Sequence, residues 1–288
     1  MIRRLRGRLD RLTAAARPAD DPPAELPGAE RVDRAVAGAV AGGREAVDDL
    51  ASLLLVVGRH GDAELVDRVA RALAAADPRM WLVVDVSARR GPWNAPRWVQ
   101  TAADRLAAGR AGPLELVLAA CHPDGFVREA AVVVLGGRDD VTALPVLALR
   151  AADWVPQVRD QARRVCRRLL DRAPAEAVTA LAPVALALRD RQEGRWPADA
   201  VDDVLRAGPP AALVAALASA DRRTRRLAHT TGLGAGRLDL DRVVHAARTD
   251  PDLPIRVLCA DAALRAARAG GDHDVPRQVP VRLLEAGV

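Results

Sequence analysis

The 288-residue sequence contains no lysine, no tyrosine, one phenylalanine, three serines and three cysteines. Each shortage closes a route. Without lysine there is no Schiff-base or lysine-nucleophile chemistry and no Walker-type phosphate loop. Three serines leave few candidates for a serine nucleophile, and neither G-x-S-x-G nor H-E-x-x-H occurs. Cys121, Cys166 and Cys259 lack C-x-x-C spacing and are far apart, as expected of small buried hydrophobes on helix faces. The five scattered histidines offer no ligand spacing, so neither a metal nor a cofactor is expected. No stretch approaches about twenty consecutive apolar residues. The first residues carry Arg where a signal peptide would need its apolar segment. A soluble, cytoplasmic protein is the expectation.

Because lysine is missing, all 43 basic side chains are Arg. Their high pKa lifts the isoelectric point without implying a strong field at neutral pH. Residues 1–17 hold six Arg and one Asp, which is the entire formal charge of +5. The remaining residues balance 37 Arg against 37 acids. Affinity for phosphates scales with the counterions released, so nucleic acid is not the expected partner of this neutral body. Within 1–17, Ile2, Leu5, Leu9, Leu12 and Ala16 form an apolar stripe among arginines, the pattern of a basic amphipathic helix. Such a helix can dock on the first unit of the body or bind an anionic membrane surface or an acidic partner. Residues 18–29 hold four prolines and read as a linker. Residues 30–270 form the body, and 271–288 a C-terminal tail.

What the body does contain is repetition. V-R-E-A-A at 127–131 returns as V-R-D-Q-A at 158–162, T-R-R-L-A at 224–228 and I-R-V-L-C at 255–259. Arg128, Arg159, Arg225 and Arg256 are separated by 31, 66 and 31 residues, and one further step of 31 upstream falls on Arg97. Such a period in a helical chain is the mark of stacked helix pairs. Apolar periodicity, with Gly, Pro and Asp as breaks, predicts helices near 30–42, 44–58, 62–76, 79–90, 96–110, 113–121, 124–136, 142–151, 156–171, 174–190, 197–207, 209–219, 221–233, 239–249 and 253–269. Gly91, Gly136, Gly137 and Gly270 are expected as left-handed C-caps. In 156–171 the predicted buried stripe is Val158, Ala162, Val165 and Leu169. Gly232, Gly234 and Gly236 follow a helix with no strand before it, so they read as a helix-ending turn and not as a phosphate loop.

The segments L-V-L-A-A-C-H-P-D-G-F-V-R-E-A-A-V-V-V-L-G (116–136) and T-D-P-D-L-P-I-R-V-L-C-A-D-A-A-L (249–264) resemble HEAT repeats. The resemblance covers about 113–171 and 209–269. It implies an all-α, right-handed α-α superhelix of about six to seven helix pairs, with the helix that begins at each Val-Arg facing a concave groove. It also implies that Arg128, Arg159, Arg225 and Arg256, with the turn residues Asp124, Asp221 and Asp252, form a structural ladder. An Asp four residues ahead of an Arg suits a local ion pair as well. His122 stands where sibling units have Asp, as a capping or packing variant.

Two arginine runs exceed what a ladder needs. One supplies Arg163, Arg164, Arg167 and Arg168, the other Arg222, Arg223 and Arg226. On a concave face they would take carboxylate-rich peptides or phosphates. Trp81, Trp93 and Trp98 cluster within eighteen residues, and Trp93 and Trp98 are candidate partner contacts. The expected function is a non-enzymatic scaffold or adaptor that binds a protein or peptide on its concave face. The alternative is a nucleic-acid-binding HEAT-like protein, whose enzymatic form would be similar to alkylpurine DNA glycosylases. Those enzymes use Trp, Asp and Arg in a groove, and here Trp81 and Asp85 lie one helical turn apart.

Overall fold

A computed structural model describes residues 28–41, 44–60, 62–88, 104–138 and 143–270. Among them the fold is all-helical, with no strand. The N-terminal basic segment, nearly all of the linker, Arg97, Trp93, Trp98 and the tail 271–288 lie outside the described residues. In chain order the helices are α1 (Ala29–Val40), α2 (Arg44–His60), α3 (Ala63–Ala75), α4 (Met80–Ala88), α5 (Pro113–Ala119), α6 (Gly125–Gly136), α7 (Leu144–Ala151), α8 (Pro156–Arg172), α9 (Pro174–Leu188), α10 (Arg195–Ala207), α11 (Pro210–Leu217), α12 (Arg222–Gly234), α13 (Leu240–Thr249) and α14 (Leu253–Gly270). Of the predicted helix at 96–110, residues 104–110 are described; 104–107 are helical, and the helix gives way to a turn at 108–109, where Gly109 is left-handed.

The starts are written in short polar residues and prolines. Asp62, Asp124, Asp221 and Asp239 accept backbone N–H groups of the first turns of α3, α6, α12 and α13. Pro113, Pro156, Pro174 and Pro210 occupy first helical positions, where no N–H is missed.

From α5 onward the helices come in consecutive pairs: α5 with α6, α7 with α8, α9 with α10, α11 with α12, and α13 with α14. The second helices also pack side by side from α6 through α8, α10 and α12 to α14, while among the first helices α7 packs on α9 and α9 on α11. Small residues permit this approach. Ala131, Ala162, Ala228 and Cys259, the small residue of each Val-Arg unit, are all fully buried, as are Val158, Val165 and Leu169. One core runs from Val32 to Ala228, and a smaller one joins α13 to α14 around Val243, Ile255 and Cys259.

The glycine expectation is corrected at Gly136 and Gly137, while Gly91 lies outside the described residues. Gly137 caps α6 at φ −85°, an ordinary right-handed value, because i→i−3 bonds from Gly137 and Arg138 close the last turn. Gly136 serves packing instead: a Cβ there would stand 2.6 Å from Val165 Cγ2 of α8. Among the described residues the left-handed glycines are Gly109 (φ 66°) and Gly236 (φ 63°). At Gly236 the Arg237 N–H reaches the Gly232 carbonyl at 2.8 Å, so G-L-G-A-G is a Schellman-type helix end.

The first four helices are arranged differently. α2 packs against α1, α3, α4 and α5, and α4 packs against α7, so this region is a cluster and not a line of pairs. The turn between α3 and α4 reaches far along the first helices. There Arg79 Nη1 lies 3.7 Å from Asp221 Oδ1.

Candidate functional site

The repeated arginines are bound into the turns. Arg128 is fully buried. Its Nε and Nη2 donate to Asp153 Oδ2 and Oδ1 at 2.9 and 3.0 Å, and its Nη1 donates to the carbonyls of His122 and Pro123 at 2.9 and 2.8 Å. Arg225 repeats the pattern, donating to the Ser219 and Ala220 carbonyls at 2.9 and 3.1 Å and to Asp250 Oδ2 at 3.3 Å. Arg159 donates to the Asp153 carbonyl at 3.2 Å and lies 3.5 Å from Glu193. Arg256 donates to the Asp250 carbonyl at 3.1 Å. Each therefore reaches back six residues into its own turn, and Arg128 and Arg225 also reach forward to an acid of the next pair.

The acids of this ladder are not the expected ones. Asp124 and Asp221 accept backbone N–H groups as helix caps, and Asp252 pairs with Arg226. A carboxylate already aimed at its helix N-terminus is not available for an Arg one turn further on. The acids that receive Arg128 and Arg225 stand two residues earlier in the turn, at Asp153 and Asp250. That turn position has a second task, since His122 Nδ1, Asp153 Oδ1, Ser219 Oγ and Asp250 Oδ1 each accept the N–H two residues on. His122 is thus a turn acceptor. Burial holds its pKa down at about 4 against the pull of Asp124, so the ring stays neutral.

The surplus arginines are divided. Arg163 donates to the Ala151 carbonyl and to Glu193 Oε2 at 2.9 and 3.0 Å, and with Arg167 it lies over the Trp196 ring, 5.2 and 5.0 Å from the centroid. Arg168 donates to the Gly136 carbonyl, and Arg164 holds Gln161. Arg226 grips Asp252 through two bonds; that contact raises the Arg226 pKa and lowers that of Asp252. Arg164, Arg167, Arg168, Arg222 and Arg223 are exposed. They do not form one cationic groove, because α10 lies between α8 and α12 and exposes Asp199 and Asp203 alongside Arg195 and Arg206.

A second feature lies between α4 and α7. Arg150 is almost completely buried, donates to Asp85 Oδ1 at 2.5 Å and stands 3.1 Å from Asp153 Oδ2. Desolvation pulls the Arg150 pKa down, but Asp85, Cys121 and Asp153 together outweigh it and the guanidinium stays charged. Asp153 is desolvated too, yet its bonds from Arg128 and the charge of Arg150 hold its carboxyl below the usual range. The four charges Arg128, Arg150, Asp85 and Asp153 sum to zero. Above them opens a pocket of about 300 Å3 that Trp154 and Arg191 also line. Trp154 is 70% exposed, with Arg128 5.8 Å from its ring centroid. Trp81, by contrast, is buried at 3% and cannot stack on a ligand.

Sequence reasoning reached Asp85 but missed Arg150, Asp153, Trp154, Trp196 and Glu193. Their contacts with Arg128, Asp85 and Arg163 span 25 to 65 residues and leave no local pattern. Asp153 and Asp250 could have been found by aligning the turns at the position six residues before each Arg.

A third feature is a cleft of about 700 Å3 where the α3–α4 turn faces α7, α9 and α11. Its floor is small and apolar, for example Pro145, Ala180, Pro183 and Ala215. Its charged lining is Asp77, Glu176 and Asp221 against Arg79, and Arg79 already holds Asp77 through its Nε and Nη2. Elsewhere, Cys259 Sγ meets His229 Nδ1 at 3.5 Å in the interior, where burial raises the thiol to about 11 and lowers the imidazole. A thiolate–imidazolium pair is therefore disfavoured. Burial likewise raises Cys166 to about 12. Among the described residues no group of three His, Cys, Asp or Glu could hold a metal ion, and no helix is long and apolar enough to cross a membrane. Compared with known proteins, the chain matches no family model and no curated protein.

Proposed function

We propose that this chain is a HEAT-like α-solenoid that acts as a scaffold, binding an acidic segment of a partner protein along its second helices. The observation that carries the reading is the unbroken side-by-side packing of α6, α8, α10, α12 and α14, with exposed arginines on α8 and α12. Stacked pairs give an extended face, and such faces bind extended partners. The arginines that build the stack are tied into the turns, while Arg164, beside Gln161, Arg167, over Trp196, and Arg222 and Arg223 are exposed for recognition. Acids on α10 interrupt the positive field, which favours a protein chain of mixed charge over a uniform polyphosphate. The test is titration with a Glu-rich peptide at physiological salt. Binding should weaken at least about tenfold when those four arginines become Glu, with the helical spectrum and melting intact. Unchanged binding would sink the proposal.

A second reading, nucleic-acid binding with excision of an alkylated base, is favoured by one observation. Asp85 meets Arg150 beneath an exposed Trp154, a carboxylate and an aromatic face on one small pocket. Such a pair suits a flipped, positively charged base. Release of an alkylated base from duplex DNA, lost in Asp85→Asn, would replace the scaffold reading with this one.

A further inference from the structure

We propose that residues 1–17 of this chain seat in the cleft between the α3–α4 turn and the first helices α7, α9 and α11, as a ligand supplied in cis. The cleft and the segment are complementary in two respects. The cleft is lined by three acids and one Arg over a floor of Ala and Pro, while the segment carries six Arg, one Asp and a stripe of Ile2, Leu5, Leu9 and Leu12. A volume of about 700 Å3 accommodates one apolar face of a helix and not the whole of it.

One side-chain oxygen of the cleft also lacks a hydrogen bond. The Asp221 side chain is 7% exposed, and its Oδ2 accepts from Thr224 N and Oγ1 at 2.9 Å. Its Oδ1 has no hydrogen bond, with Arg79 Nη1 at 3.7 Å and the rest of that guanidinium turned to Asp77. A buried carboxylate oxygen left this way is costly, and an incoming guanidinium supplies the missing donors.

Reach permits the arrangement. Asp33, one turn into α1, accepts from Arg68 of α3 at 3.2 Å. Arg68 stands roughly 8 Å along the same helix from Leu73, which lines the cleft. The described chain therefore begins near the edge of the cleft, and residues 18–28 can span at most roughly 36–40 Å. This seating is lined mainly by the first helices and touches the second helices only at the Asp221 cap, whereas the proposed partner face runs along α8 and α12, so either idea can fail without the other.

The test uses the full-length chain. Trypsin cleavage after the arginines of 1–17, followed by mass spectrometry at low salt, should be several-fold slower in the native chain than in Glu176→Arg. Glu176 is exposed on the rim, so the fold should hold. Asp221→Asn, which keeps a competent helix cap, should act in the same direction. Location comes from a disulfide trap: Thr13→Cys should close on Thr179→Cys as a monomer and not on Arg164→Cys, exposed in the middle of α8 and outside the cleft lining. Equal cleavage rates in all three proteins, equal trapping at both positions, or trapping only as a dimer would overturn the proposal.

Discussion

Asp153→Ala should be among the most damaging single substitutions in the chain. The carboxylate receives two bonds from the fully buried Arg128, at 2.9 and 3.0 Å, lies 3.1 Å from the buried Arg150, and accepts the Val155 N–H at 2.9 Å. Its removal leaves Arg128 with only the His122 and Pro123 carbonyls, and Arg150 with Asp85 alone. Breaking a buried pair by deleting one partner costs about 3–5 kcal/mol, because the surviving charge stays desolvated. That is a large part of the roughly 5–15 kcal/mol of a whole domain. Replacing both members, as Arg128→Met with Asp153→Leu, should recover most of the loss. Urea denaturation followed by far-UV circular dichroism reads the difference as a shift in midpoint, with the slope compared to check that the transition is still two-state. A loss below about 1 kcal/mol for Asp153→Ala, the scale of an exposed ion pair, would refute the claim that this ladder holds adjacent pairs together.

Acid should destabilise the protein partly through His122: its pKa, about 6.5 when unfolded, is held at about 4 in the fold. Stability is then full above about pH 6.5 and is lost as pH falls toward 4, by up to about 3 kcal/mol; His122→Asn, which keeps the turn acceptor, should flatten that part of a stability–pH profile. Gly136→Ala should destabilise despite the gain of about 1 kcal/mol in helix propensity, since the new Cβ would meet Val165 Cγ2 at 2.6 Å and overpacking costs about 1–3 kcal/mol; thermal melting decides the sign, and Val165→Ala should rescue it. Ala162→Leu should cost about 1–3 kcal/mol by the same mechanism, and an unshifted melting curve would show that the buried register is misread.

The fold was legible where chemistry is local. Val158, Ala162, Val165 and Leu169 repeat at steps of three and four, so their buried stripe can be read from one helix, and Asp and Pro mark where helices start. The capping acids and the ladder acids are the same residue type two positions apart. Separating Asp124 from Asp153 needs the neighbouring pair in view. The candidate site was less legible still. Asp85 was visible beside Trp81, but its partner Arg150 lies 65 residues away, and Trp81 turned out to be core while Trp154 is the exposed ring. Counting arginines could not show that Arg163 and Arg226 are engaged with Glu193 and Asp252, which removes them from the set free to recognise a partner.

The central claim is that the exposed arginines of α8 and α12 recognise an acidic protein segment and not nucleic acid. Fluorescence anisotropy of one protein preparation, lacking residues 1–28 to remove the basic segment, against a labelled Glu-rich peptide and a labelled DNA duplex at the same salt tests it directly. The account predicts peptide binding that disappears when Arg164, Arg167, Arg222 and Arg223 are changed to Glu, and duplex binding no tighter than about micromolar. Sub-micromolar duplex binding at physiological salt, with the peptide unbound, would contradict it.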